Sequence, residues 1–129
     1  MPDAKRPIKL LMVDDEQDFA LTLAARLELR GFIPSVVFDG ESALERVRGE
    51  HFDLVMLDVM LPGMSGLVVL RRIHEMQPRL PVVLLTGDTG SKDGIEGMQQ
   101  GARACMNKPV DLQTLLSLFA EIAKENRHA

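Results

Sequence analysis

The stretch Asp53-Leu54-Val55-Met56-Leu57, followed at once by Asp58, is nearly continuous in aliphatic side chains. A half-exposed strand alternates apolar and polar residues, whereas an unbroken apolar run suits a strand covered on both faces, as in a parallel sheet. Four further runs of strand length flank it, over Ile8–Val13, Ile33–Val37, Pro81–Leu85 and Arg103–Met106. Between them lie longer segments with helical periodicity. Glu16–Arg30 sets Phe19, Leu23 and Leu27 on one stripe, with Gly31 where a left-handed C-terminal residue belongs. Glu41–Arg48 turns Ala43, Leu44 and Val47 inward, with Asp39 or Ser42 near its start. Leu67–Met76 must stop before Pro78. Leu112–Asn126 has Asp111 placed as N-cap and an apolar stripe of Leu115, Phe119 and Ile122. Ser91–Gln100 is helical too, but holds Gly94 and Gly97, each costing about 1 kcal/mol relative to Ala. Ile95 and Met98 are its expected core contacts. It is either a weakly held helix, mobile at its start, or a short surface helix.

The alternation βαβαβαβαβα predicts an α/β fold: one doubly wound parallel sheet with helices on both faces, joined by right-handed crossovers. The 129 residues, 46% hydrophobic and 26% charged, suit a single domain over 1–129 with a core over about 8–123. That length leaves no room for a separate output module. Net charge is −4 and aromatics are sparse, with five Phe, no Trp and no Tyr. A nucleic-acid surface wants the opposite charge and stacking platforms, so direct nucleic-acid binding is not expected. One cysteine, Cys105, excludes an intrachain disulfide. The charged start, residues 1–7, has no apolar signal region, and no apolar run approaches the roughly 18 residues of a membrane span. A cytoplasmic location with no membrane contact is expected.

In such sheets ligands bind beyond the carboxyl ends of the strands. The first strand ends in Asp14-Asp15-Glu16, the third in Asp58, the fourth in Thr86-Gly87-Asp88 and the fifth in Asn107-Lys108-Pro109. Each alone has an ordinary structural explanation as a cap, turn or solvated residue. Together they bring three carboxylates, a hydroxyl and an ammonium to one rim. Two carboxylates about 4 Å apart repel by about 4 kcal/mol at an effective dielectric of 20, so the group demands counter-charge. Lys108 supplies one positive charge, and a hard divalent cation, Mg²⁺ or Mn²⁺, with a phosphoryl group suits the remainder. Zinc is disfavoured, since His51, His74, His128 and Cys105 show no ligand spacing. Neither a phosphate-binding P-loop, nor a dinucleotide fingerprint after Val13, nor a nucleophile elbow is present. A carboxylate that itself accepts a phosphoryl group remains.

These residues resemble the receiver domain of bacterial two-component response regulators, over about Ile8 to Ala123. The matching motifs are Asp14-Asp15, Asp58-Val59-Met60-Leu61-Pro62-Gly63-Met64-Ser65-Gly66, Thr86-Gly87 and Lys108-Pro109. The resemblance implies a flavodoxin-like, CheY-like sheet of order 2-1-3-4-5 with five helices. It implies that Asp58 is the phosphoacceptor, charged by a sensor histidine kinase or a histidine phosphotransfer protein. Asp15, Asp58 and the Met60 carbonyl would hold the metal directly, and Asp14 through water. Lys108 would pair with a phosphoryl oxygen, Thr86 would bond another and move on activation, and the Lys108-Pro109 bond would be cis. Output would pass through the face of the fourth helix, fifth strand and last helix to a downstream protein, or to a homodimer formed on activation. Such a chain is a signalling module that catalyses only its own phosphorylation and dephosphorylation.

One position departs from the family pattern. Cys105 stands where an aromatic residue is usual, so aromatic-coupled switching is in doubt. Activation is expected to pass instead through residues 86–100, rich in glycine, with a constitutive or partner-induced switch as the alternative. Met60 and Asp88 are expected to flank the phosphoryl group and to bear on its lifetime. Two other classes compete. An aspartate-nucleophile phosphatase would carry an acid where this chain has Met60. A pseudo-receiver would bind protein without phosphorylation, against the complete acid, Thr and Lys set.

Overall fold

A computed structural model describes residues 6–128, with side chains followed to residue 125. Residues 1–5, within the charged start read above, and the side chains of 126–129 lie outside the described residues. The chain runs β1 (Lys9–Val13), α1 (Gln17–Glu28), β2 (Ile33–Val37), α2 (Gly40–Gly49), β3 (Leu54–Asp58), α3 (Gly66–Met76), β4 (Val82–Thr86), α4 (Lys92–Gln99), β5 (Ala104–Asn107) and α5 (Leu112–His128). All five strands are parallel, in the order β2-β1-β3-β4-β5. Both the expected alternation and the expected order are present.

Local chemistry sets the element ends. Asp39 accepts from Ser42 N at 2.8 Å and opens α2, Ser65 accepts from Val68 N at 3.3 Å and opens α3, and Asp111 accepts from Thr114 N at 3.1 Å before α5. Each bond satisfies a first-turn amide that has no partner within its own helix. Gly31 closes the α1 turn at φ 91°, a conformation a β-carbon disfavours.

Strand side chains alternate between two apolar layers. Leu54 and Met56 of β3 join Leu10, Met12, Val83 and Leu85 beneath α1 and α5, where Leu27, Leu115 and Phe119 meet them. Val55 and Leu57 point the other way, with Leu11, Val13 and Leu84, against Val47, Val69 and Ile73 of α2 and α3. Burial of each such side chain is worth about 1.5–3 kcal/mol, which is why β3 can spare no polar residue before Asp58.

α4 corrects one expectation. Ile95 and Met98 are 51% and 45% exposed, and the buried residues of the helix are Gly94 and Gly97. A β-carbon on Gly97 would stand 2.1 Å from Leu84 Cδ1, and one on Gly94 would stand 2.7 Å from the Thr89 carbonyl oxygen. The two glycines, three apart, form the packing face, so the helix backbone lies directly on the sheet. Ile95 and Met98, one position further round, therefore look outward. The glycines that read as a weakness in helix propensity are a condition of close packing.

Candidate functional site

β1 ends at Val13, so Asp14 is the first residue past the strand, and Asp58 is the last residue of β3. The two strands are neighbours with Val13 opposite Leu57, which sets the acids side by side. Asp14 is 2% exposed and Asp58 4%. Each carboxylate is fixed by an amide two residues on: Glu16 N donates to Asp14 Oδ1 at 2.9 Å, and Met60 N donates to Asp58 Oδ1 at 2.9 Å. This turn leaves the second oxygen of each acid aimed into the site.

Lys108 comes over from the end of β5. Its Nζ stands 3.1 Å from Asp58 Oδ2 and 3.0 Å from Asp14 Oδ2, and it also donates to Glu16. The Phe19 ring closes one side of the ammonium, 4.6 Å from Nζ to ring centroid. Burial works against the charge of Lys108, but the carboxylates of Glu16, Asp14 and Asp58 around it outweigh that and raise its pKa. Burial pushes the Asp14 carboxyl up, and the charge of Asp58 adds to the effect, although the Glu16 amide and Lys108 pull the other way.

The structure gathers Asp14, Glu16 and Asp58, with one oxygen of each within 4.8 Å of the others. Like charges at that separation repel by about 3–4 kcal/mol at an effective dielectric of 20, and one ammonium cannot neutralise three. Asp15 is exposed and is not one of this group, whereas Glu16, which the sequence reading left without a role, is. Glu16 sits at the N-cap of α1 yet makes no side-chain cap bond there, and its carboxylate pairs with Lys108 in place of its own helix. Met60 meets Asp58 through its amide, and its side chain is 70% exposed, at the mouth of the site.

Thr86 ends β4 beside β3, one residue past Leu85, the register partner of Asp58. It is 5% exposed, and its Oγ1 has only long contacts, accepting from Asp88 N at 3.3 Å and donating to Asp88 O at 3.4 Å. The hydroxyl is thus near the acids and loosely committed. Lys108-Pro109 is cis, as expected. Cys105 lies half-buried in β5 opposite Leu84, packed against the α2–α3 side of the core, and burial raises its pKa and keeps the thiol protonated.

Gly66, unassigned beyond its place in the motif, has a clear structural task. A β-carbon there would stand 2.3 Å from the Asp58 carbonyl oxygen and 2.6 Å from Val59 Cα. Its amide donates to Val59 O at 2.9 Å, so the start of α3 is pressed against the backbone that carries Asp58.

The donor set fits a hard divalent cation. The candidate ligands are carboxylate oxygens, and Asp14 Oδ2 is buried without a directed hydrogen bond although Lys108 lies 3.0 Å away. A buried oxygen of that kind is costly unless something binds it. The Mg²⁺ expectation is thus supported in its chemistry by Asp14 and Asp58.

Comparison with known proteins gives a consistent result. Residues 10–120 match the family described as response regulator receiver domain. An uncharacterized transcriptional regulatory protein of Bacillus subtilis (strain 168), YkoG, is 35% identical over 117 residues, covering 91% of this chain and 51% of its own length. The chain spans about half the length of the curated relatives it matches. A response regulator receiver domain protein (CheY-like) from Methanospirillum hungatei JF-1 superposes with a TM-score of 0.90 at 25% identity, over 95% of this chain and 98% of that one. A response regulator from Burkholderia pseudomallei, solved with a phosphorylated aspartic acid, calcium ion and citrate, superposes with a TM-score of 0.81 at 27% identity, over 94% of this chain and 71% of that one.

Proposed function

The chain belongs to the response regulator receiver domain family, and from that membership we propose that Asp58 accepts a phosphoryl group from the phosphohistidine of a sensor histidine kinase or a histidine phosphotransfer protein. The observation that carries this reading is the Asp58 carboxylate itself, buried at the end of β3 with Lys108 Nζ 3.1 Å from its free oxygen. A carboxylate oxygen attacks phosphorus, the phosphorus–nitrogen bond to the imidazole breaks, and an aspartyl phosphate is left.

Transfer of this kind is positioning and charge neutralisation, and the residues are placed for both. The Met60 amide fixes the rotamer of Asp58. Lys108 leaves its carboxylate partners to pair with a phosphoryl oxygen, and Thr86, whose present contacts are long, turns its hydroxyl to another. Asp14, Asp15, Asp58 and the Met60 carbonyl are the residues proposed to hold Mg²⁺ or Mn²⁺, with Glu16 added by its place among the acids. When bound, the cation supplies positive charge to the transferring phosphoryl oxygens. The Burkholderia response regulator, solved with a phosphorylated aspartic acid and a calcium ion, supports an aspartate as the phosphoacceptor in proteins of this kind.

Output is proposed through the α4–β5–α5 face, where Ile95 and Met98 stand exposed, to a downstream protein or a second receiver. The relatives are named as transcriptional regulators, so the reading that nucleic acid is not contacted is confined to this domain's own acidic surface. Among the described residues no helix is long and apolar enough to cross a membrane. The proposed setting is the cytoplasm, with catalysis limited to the domain's own phosphorylation and dephosphorylation. A phosphatase would want an acid near Met60, and the side chain there is apolar.

Mass spectrometry after incubation with acetyl phosphate and Mg²⁺ tests the reading. One phosphoryl group on the wild type and none on Asp58→Asn is the expected result. An unlabelled wild type, or a label that survives the substitution, overturns it.

A further inference from the structure

The segment between β4 and α4, residues 87–91, satisfies itself with short-range bonds. Gly90 N donates to Asp88 Oδ1 at 2.9 Å and Ser91 N to Asp88 O at 3.0 Å, while Asp88 N reaches back to Thr86 Oγ1 at 3.3 Å. Among the described residues, one hydrogen bond ties this loop to an element other than the β4 and α4 that flank it: Thr89 N donates to Asn107 Oδ1 at 2.8 Å. Asn107 is the last residue of β5, directly opposite Thr86 in the β4–β5 register, and Lys108 N donates to Thr86 O at 2.8 Å just beyond it.

Thr89 is gripped from its other side as well. Its carbonyl faces Gly94 of α4 so closely that a β-carbon there would stand 2.7 Å from the oxygen. The loop therefore lies between a side-chain acceptor on β5 and the bare backbone of α4. Asparagine is a poor strand residue, and strand formation does not account for it at this position. What it contributes is an acceptor of the right length.

We propose that Asn107 is a positioning residue that latches the 87–91 loop in the resting arrangement and so sets how readily the site passes to the phosphorylated one. The proposal rests on Asp58 as phosphoacceptor. Among the described residues the Thr86 hydroxyl is held by contacts of 3.3 and 3.4 Å to Asp88, long for hydrogen bonds, so turning it to a phosphoryl oxygen costs little at the hydroxyl itself. That turn removes the hydroxyl from Asp88 and draws on the loop that Asn107 holds. A bond present in one of two arrangements biases the equilibrium toward it by its own free energy. Motion released at Thr89 passes directly to Gly94, where no side chain intervenes, and hence to the start of α4.

Titration of the full chain with beryllofluoride in the presence of Mg²⁺, as a phosphoryl mimic, tests the latch. Asn107→Ala is expected to bind the mimic about two- to tenfold more tightly than the wild type, the range of one net hydrogen bond. Asn107→Val, a better strand residue without the acceptor, carries the same expectation and guards against a folding failure of the first variant. In the unliganded protein the Thr89 amide should exchange faster in both, and Asn107→Asp, which keeps an acceptor oxygen, should restore its protection. Structural damage alone weakens binding, so tighter binding is specific to a latch. Equal or weaker binding by both acceptor-free variants, with the wild type binding normally, overturns the latch. Failure of the wild type to bind overturns the phosphoacceptor reading and the latch with it.

Discussion

Lys108 Nζ stands 3.0 Å from Asp14 Oδ2, yet off the line of a hydrogen bond, and among the described residues that buried oxygen has no hydrogen-bond partner. The pair is held by charge more than by direction. Of its three carboxylate contacts, the one to Asp14 can be given up without breaking a directed bond, while those to Asp58 and Glu16 are hydrogen bonds; that suits the proposed move of Lys108 toward a phosphoryl oxygen. It also makes the balance of charge at the site measurable.

Lys108→Met leaves Asp14, Glu16 and Asp58 facing one another without their ammonium. In buffer with a chelator the variant should lose about 2 kcal/mol of stability, less than a fully buried pair because Lys108 is partly solvated. Added Mg²⁺ should restore part of that loss, and acetyl phosphate labelling should slow about a hundredfold. Urea midpoints with and without Mg²⁺ check the first point. A loss that ignores Mg²⁺ counts against the charge argument.

Asp14→Asn should act in the opposite sense. Burial raises the Asp14 pKa in the folded chain, so the charged carboxylate is less comfortable folded than unfolded. The wild type therefore gives up stability as pH rises from the unfolded pKa through the raised folded one, and below both values the penalty is absent. With a chelator present, the variant should be more stable than the wild type near neutral pH, and the advantage should vanish as the pH falls below the ordinary carboxylate range. Denaturation across that range provides the measurement; an advantage independent of pH would point to packing instead.

Gly66→Ala gains about 1 kcal/mol in helix propensity but drives a β-carbon into the Asp58 and Val59 backbone. Overpacking against backbone should win, for a net loss of about 2–3 kcal/mol and slower labelling of Asp58. Gly49→Ala, at the end of α2 with open space around it, is the matched control and should be neutral or slightly stabilising. Thermal melts of the two variants decide; equal behaviour would show that the clash is relieved cheaply.

Ile95→Ser with Met98→Gln tests the orientation of α4. Both side chains are near half exposed, so the double variant should stay within about 0.5 kcal/mol per site of the wild type. Residues in the core would instead cost about 2–5 kcal/mol each. A drop in melting temperature on that larger scale would return them to the core.

Strand runs such as Leu54–Leu57 were legible because both faces of the sheet are buried, which leaves no room for alternation. Asp58, Asp14, Thr86 and Lys108 were legible because the ends of parallel strands face one way, so residues far apart in sequence share a rim. α4 was misread at Ile95 and Met98 since hydrophobicity was taken as inwardness, while the backbone at Gly94 and Gly97 made the contact. Glu16 was passed over because a helix N-cap is an ordinary place for an acid, and only coordinates show it bonded to Lys108 in place of its own helix. Asn107 gave no signal, its role depending on the length of a loop and not on a pattern.

β5 is both the last strand in chain order and an edge of the sheet, and Lys108 follows it directly. As the polypeptide emerges during synthesis, the acids of β1 and β3 exist before their ammonium does. A partial sheet of β1 to β4 gathers negative charge at one rim with no Lys108 to offset it, and it lacks the ammonium proposed to pair with a phosphoryl oxygen. Docking of β5 supplies hydrogen bonds, counter-ion and chemical competence in one step. On the proposed roles of Asp58 and Lys108, an unfinished chain is therefore a poor acceptor for a phosphoryl donor, and receipt of the signal favours molecules that have completed their fold.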